Sequence, residues 1–158
     1  MKGVNKTPDE QMLGARLLFV IAPYYKEIAE NLRLGAEAAA NAAKAKVIDY
    51  VYVPGAFEIP AAIMHASCNH DYDGYVALGC VIRGETSHYE HICTESARGL
   101  MDISMRESFC IGNGILTVEN MAQAEERADP ARLDKGGEAA RACLAMLAIR
   151  RRFRGAMG

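Results

Sequence analysis

The chain has 158 residues, 51% hydrophobic and 24% charged, which suits one globular domain and excludes a disordered chain unable to bury enough apolar surface. Its 18 Lys and Arg nearly balance 20 Asp and Glu, and a net charge of −2 gives no electrostatic case for bulk nucleic-acid binding. The five cysteines, at 68, 80, 93, 110 and 143, make no CxxC pair, so reduced thiols in a cytoplasmic protein are expected rather than a disulfide frame or zinc ribbon.

Residues 1–16, MKGVNKTPDEQMLGAR, carry no apolar export segment and read as a loose N-terminal arm, with a single domain over 17–158. The longest early apolar run, Leu17–Ala22, is far too short to cross a membrane and suits a strand buried on both faces. Residues 26–46 are rich in Ala, Glu, Leu and Lys, and Ile28, Leu32, Ala36, Ala39 and Ala43 follow helical spacing. A second strand spans Val47–Val53 and stops at Pro54-Gly55. A helix follows over about Glu58–His70, with Pro60 in its first turn. Gly74–Val81 is the third strand. The turn Gly84–Ser87 offers Thr86 and Ser87 as N-caps for a helix reaching about Glu107, with Ile92, Ser96, Gly99 and Ile103 on one face. A fourth strand lies within Phe109–Val118, where Gly112-Asn113-Gly114 signals a bulge or a close backbone approach. A short helix over Asn120–Ala128 breaks at Asp129-Pro130. The last helix covers about Asp134–Phe153, with Ala142, Met146, Ile149 and Phe153 in a stripe.

Strands alternating with helices predict an α/β fold, a three-layer α/β/α sandwich around a four-stranded parallel sheet. Ligands in such folds bind beyond the carboxyl ends of the strands. That singles out residues 23–26, 54–58, 82–88, and Asn113 with the segment after Val118. Tyr24 offers a flat face to a planar ring, or a cover for the core edge. Ala56, Phe57 and Glu58 open a helix whose amides can donate, although Glu58 also suits a first-turn carboxylate. Gly84, Glu85, Thr86 and Ser87 form a natural phosphate cradle. His88 beside it can exchange protons near neutral pH, or is an ordinary surface histidine. Arg127 is a candidate phosphate anchor or one half of a surface ion pair. The groupings His65/Cys68/His70 and His88/His91/Cys93 lack the ligand spacing of a metal site. Arg150–Arg154 reads as a solvated helix end.

PGAFEIP, GCVIRGETSHYEH and GNGILTVENMAQAEERA, in that order, resemble the 6,7-dimethyl-8-ribityllumazine synthase family from about Leu17 to Phe153. The resemblance implies a flavodoxin-like fold and a transferase of riboflavin biosynthesis. The reaction it implies joins 5-amino-6-ribitylaminouracil to 3,4-dihydroxy-2-butanone 4-phosphate, releases phosphate and water, and needs no metal or redox cofactor. It implies that Tyr24 stacks on the pyrimidine. Ala56, Phe57, Glu58, Cys80, Val81 and Ile82 would contact that substrate, and Cys80 need not be a nucleophile. Glu85, Thr86 and Arg127 would hold the phosphate, and His88 would be the proton carrier. Asn113 stands where some members place a phenylalanine over the ligand, and would hydrogen-bond the pyrimidine or ribityl chain instead. The family's sites lie between subunits of a homopentamer. The 129–134 linker lacks the Gly-rich character associated with shell formers, which favours a free pentamer or a pair of pentamers. The rivals on the same fold are a non-catalytic flavin- or lumazine-binding relative and a shell-forming scaffold.

Overall fold

A computed structural model describes residues 14–69 and 71–155. The elements in chain order are β1 (Arg16–Ile21), α1 (Lys26–Ala42), β2 (Val47–Tyr52), α2 (Ile59–Ala66), β3 (Gly74–Ile82), α3 (His88–Glu107), β4 (Ile111–Val118), α4 (Met121–Ala128) and α5 (Lys135–Gly155). Short 3₁₀ turns flank α2 at Ala56–Glu58 and Ser67–Asn69. All strand pairs are parallel and the order is β2-β1-β3-β4.

The continuous apolar run of β1 serves two cores at once. Leu17, Phe19 and Ile21 face one side and pack with α1, α4 and α5. Leu18, Val20 and Ala22 face the other and pack with α2 and α3. A strand with period-2 side chains and a core on each face must be apolar at every position. The three layers expected from strand–helix alternation are therefore present.

Several boundaries differ from the sequence expectation. β1 begins at Arg16, inside the stretch assigned to the arm. Its amide donates to Asp73 Oδ2 at 2.8 Å and its guanidinium to the Asp71 carbonyl at 2.8 Å, and Ala15 is fully buried. The rest of that arm, residues 1–13, lies outside the described residues. α1 stops at Ala42 because Lys44 turns left-handed, at φ 58°, and the Ala45 amide returns to the Ala40 carbonyl. α2 ends at Ala66 rather than near His70, passing into the turn Ser67–Asn69.

Gly112-Asn113-Gly114 makes no bulge. β4 pairs with β3 without a slip from Tyr75–Ile111 to Ile82–Val118. The glycines serve close approach instead: a Cβ on Gly112 would sit 1.9 Å from the Ala139 carbonyl oxygen of α5. Asn113 is thus a mid-strand residue opposite Ala77, not part of a loop beyond the strand end.

The stripe Ala142, Met146, Ile149 and Phe153 faces outward, with Met146, Ile149 and Phe153 all exposed. The core side of α5 is instead Ala139, Ala140, Cys143, Leu144, Leu147 and Ala148. Two apolar faces on one helix defeat a single-stripe reading. Two of the terminal arginines are not simply solvated. Arg150 donates to the Ser108 and Asp73 carbonyls, and Arg151 pairs with Asp73 at 3.6 Å.

α1 and α5 meet through glycine. A Cβ on Gly136 would lie 2.0 Å from the Leu32 carbonyl oxygen, a backbone atom that cannot rotate away. Gly136→Ala is expected to lower unfolding stability by about 1–3 kcal/mol, despite alanine's better helix propensity. Gly155→Ala, with open space around its Cβ, is expected to stay near wild type. Urea denaturation midpoints check both.

Candidate active site at the sheet switch point

Strand order reverses between β1 and β3: the chain passes from β1 outward to β2, then returns to the other side of β1. The loops leaving the two central strands diverge there and open a crevice beyond their carboxyl ends. A cavity of about 800 Å³ occupies that place. This is within the range of about 300–1,000 Å³ usual for small-molecule sites.

Tyr24 and Tyr25 enter it from the end of β1. Tyr24 is 75% exposed, and its ring stands edge-on to Tyr25 at 4.9 Å between centroids. An exposed ring next to a cavity is free to stack, which disfavours a role as a cover for the core. Burial pushes the Tyr25 phenol up, helped by Tyr24 and Cys80.

The turn after β2 supplies Pro54 to Glu58. Residues 56–58 form a 3₁₀ turn in which the Glu58 amide donates to the Gly55 carbonyl at 3.2 Å, so that amide is spent internally. Phe57 is 56% exposed, a second aromatic face at the cavity. The floor is the end of β3, Cys80, Val81 and Ile82. Burial, followed by the influence of Cys93, pushes the Cys80 thiol up to about 11.

The far wall is the start of α3, with Gly84, Thr86, His88, Tyr89, His91 and Ile92. Thr86 Oγ1 accepts from the His88 amide at 3.3 Å, while Ser87 occupies the N-cap position without a side-chain bond. Arg83 holds this wall in place. It pairs with Glu119 at 2.7 Å and with Glu90, and its guanidinium lies 4.4 Å from the Tyr89 ring centroid. Glu85 sits in the same turn but is not among the lining residues.

Asn113 and Arg127 are elsewhere. They line a second hollow of about 320 Å³ along the outer edge of β4, with Thr117, Lys135 and Glu138. Asn113 Oδ1 accepts from the Ile115 amide at 3.0 Å, occupying an edge-strand donor. Arg127 donates to the Gln123 carbonyl at 3.3 Å and makes only a loose 3.8 Å pair with Glu126. Lys135 bonds Glu138 at 2.7 Å. Arg127 and Lys135 outnumber the one carboxylate lining this hollow, which favours an anion.

The described residues thus gather Tyr24, Ala56, Phe57, Glu58, Cys80, Val81, Ile82, Thr86 and His88 into one cavity. Asn113 and Arg127 are not brought to it within one chain. The sequence reading missed Tyr25, Tyr89, His91 and Lys135. Helical spacing from His88 signals His91, whereas nothing in the linear order joins Lys135 to Arg127. Among the described residues, no three His, Cys, Asp or Glu side chains are grouped to hold a metal, and His70 lies outside them. No helix among them is long and apolar enough to cross a membrane.

With its thiol protonated far above neutrality, Cys80 is a poor nucleophile. Iodoacetamide labelling of Cys80, followed by peptide mass spectrometry, is expected to be slow at pH 8. Its rate should rise about tenfold per pH unit up to pH 10. Rapid labelling at pH 7 would contradict the burial argument.

A family model described as 6,7-dimethyl-8-ribityllumazine synthase matches residues 14–151. A Novosphingobium aromaticivorans protein of that name is 55% identical over 139 residues, covering 88% of this chain and 99% of the relative. A namesake from Methylobacterium radiotolerans is 52% identical over 151 residues, covering 96% and 92%. One from Bartonella tribocorum is 49% identical over 154 residues, covering 97% of each chain. On these matches, and with a parallel α/β sheet whose switch point carries the cavity, the chain belongs to the 6,7-dimethyl-8-ribityllumazine synthase family.

Proposed function

We propose that the protein is a 6,7-dimethyl-8-ribityllumazine synthase, a transferase condensing 5-amino-6-(D-ribitylamino)uracil with 3,4-dihydroxy-2-butanone 4-phosphate and releasing phosphate and water. The carrying observation is the single cavity whose lining includes both an exposed aromatic ring, Tyr24, and a proton carrier, His88. A planar pyrimidine suits the Tyr24 and Phe57 side, and a phosphate suits the amides and Thr86 hydroxyl at the start of α3. Ala56, Glu58, Cys80, Val81 and Ile82 line the same cavity.

The amine attacks the ketone carbon and the resulting imine forms with loss of water. Loss of the proton on the adjacent carbinol carbon then expels phosphate with the electrons of its C–O bond, the enol left behind becomes a ketone, and the ribityl-bearing nitrogen attacks that ketone to close the ring with loss of a second water. Each step moves a proton, and His88 is the side chain on the α3 wall suited to carry it near neutral pH. Holding both reactants together supplies much of the rate, since effective molarities reach about 10⁵–10⁸ M in well-oriented cases.

The cavity has no Arg or Lys among its lining residues, and the Arg127/Lys135 hollow has no aromatic ring. Each is half of what the reaction needs. The reading is that a second copy presents its Arg127, Lys135 and Asn113 to the first copy's cavity, with Arg127 and Glu85 assisting on the phosphate. The exposed apolar side chains Met101, Met105, Met146, Ile149 and Phe153 supply surface for such assembly. A homopentamer fits the resemblance, and the 129–134 linker favours a free pentamer or a pair of pentamers. Five free cysteines fit a reducing, cytoplasmic setting.

Mixing both substrates with the purified protein should produce lumazine fluorescence and inorganic phosphate together; neither signal would refute the assignment. His88→Ala should lower kcat by about 10²-fold or more and leave measurable turnover, because orientation survives. Arg127→Ala should raise the KM for the ketone phosphate by about 10–100-fold, the worth of a charged hydrogen bond, with little change for the pyrimidine.

A further inference from the structure

His91 is unused by the mechanism above, yet it lines the same cavity as His88. The two stand three residues apart on α3 and therefore share a face. Helical side chains lean towards the helix N-terminus, so the His91 ring covers the first turn, beside His88 and towards the turn containing Thr86. That end of the cavity is where the reaction places a phosphate.

The charge inventory makes the position informative. Arg83, the nearest guanidinium in sequence, is committed to Glu119, Glu90 and the Tyr89 ring. No Lys or Arg lines the cavity, so His88 and His91 are the only lining side chains able to carry positive charge there. The acidic groups on hand are Glu90, its chain neighbour, Glu95 one turn on, which pairs with Arg98, and Glu58, which lines the cavity. Glu90 is held down by its own backbone hydrogen bond and by Arg83, so it stays a carboxylate. Burial pushes the Tyr25 and Tyr89 phenols and the Cys80 thiol up, so all three stay neutral near pH 7, and Tyr24 completes the set of phenols. A phosphate arriving there meets two imidazoles and no competing cation from the same chain.

We infer that His91 is a positioning residue for the phosphate group of the ketone substrate, acting with the α3 N-terminus while His88 carries the proton. This rests on the synthase reading given above.

The test uses the full-length assembled protein with His91→Phe, which removes charge and hydrogen bond, and His91→Gln, which keeps a donor without charge. His65→Gln, on α2 outside the cavity, is the control. Inorganic phosphate is titrated calorimetrically, and KM is measured for each substrate. His91→Phe should weaken phosphate binding and raise the ketone-phosphate KM about fivefold, with kcat and the pyrimidine KM falling or rising by less. His91→Gln, which keeps a hydrogen-bond donor, should recover part of that loss. Unchanged phosphate affinity and ketone KM in His91→Phe, with wild-type turnover intact, would overturn the inference and leave the synthase reading standing. If wild type made no lumazine, the synthase reading would fall, and the phosphate titration alone would decide His91. A wild type that bound no inorganic phosphate would overturn the role outright.

Discussion

Everything in this molecule hangs on β1 and β3 lying side by side at the centre of a parallel sheet, each buried on both faces. That burial needs unbroken apolar runs, and Leu17 to Ile21 and Tyr75 to Leu78 supply them. The right-handed crossovers of a parallel sheet then send α1 to one face and α2 to the other. The loops that leave the two strands must part company, and the gap between them is the cavity. The chemistry-bearing residues are held by strand ends and by the first turn of a 20-residue helix, which are rigid supports.

The sheet and the cavity were readable in the sequence because both follow from local pattern. Apolar runs marked the strands, and the residues just past them, such as Tyr24, Phe57 and Thr86, had to fall at the carboxyl ends. Asn113 was placed wrongly because its flanking glycines look the same whether they bend a strand or let a helix approach it. Only the packing of Ala139 against Gly112 distinguishes the two. The outward stripe of α5 failed for a related reason. An exposed apolar face and a core face have the same periodicity, and only the position of the sheet tells which is which. His91 was weighed only as a metal ligand, and Lys135 gains meaning only from its spatial neighbour Arg127.

The division of charge between the two hollows carries the main functional consequence. One is aromatic and proton-carrying without fixed cations, and the other is cationic without aromatic surface. A reaction between a planar amine and an anionic ketone asks for both. In the proposed assembly, a repeated head-to-tail contact closing into a ring would bring them together at every interface at once. Such an assembly would also cover the methionine, isoleucine and phenylalanine side chains exposed along α3 and α5.

Co-assembly of His88→Ala and Arg127→Ala chains tests that division most directly. If His88 and Arg127 of one site come from different copies, random mixing rebuilds about a quarter of the interfaces with both groups intact. The mixed assembly should then turn over well above either variant alone, approaching about a quarter of the wild-type rate. Activity no higher than the average of the two separate variants would place both residues in one chain's site and contradict the account.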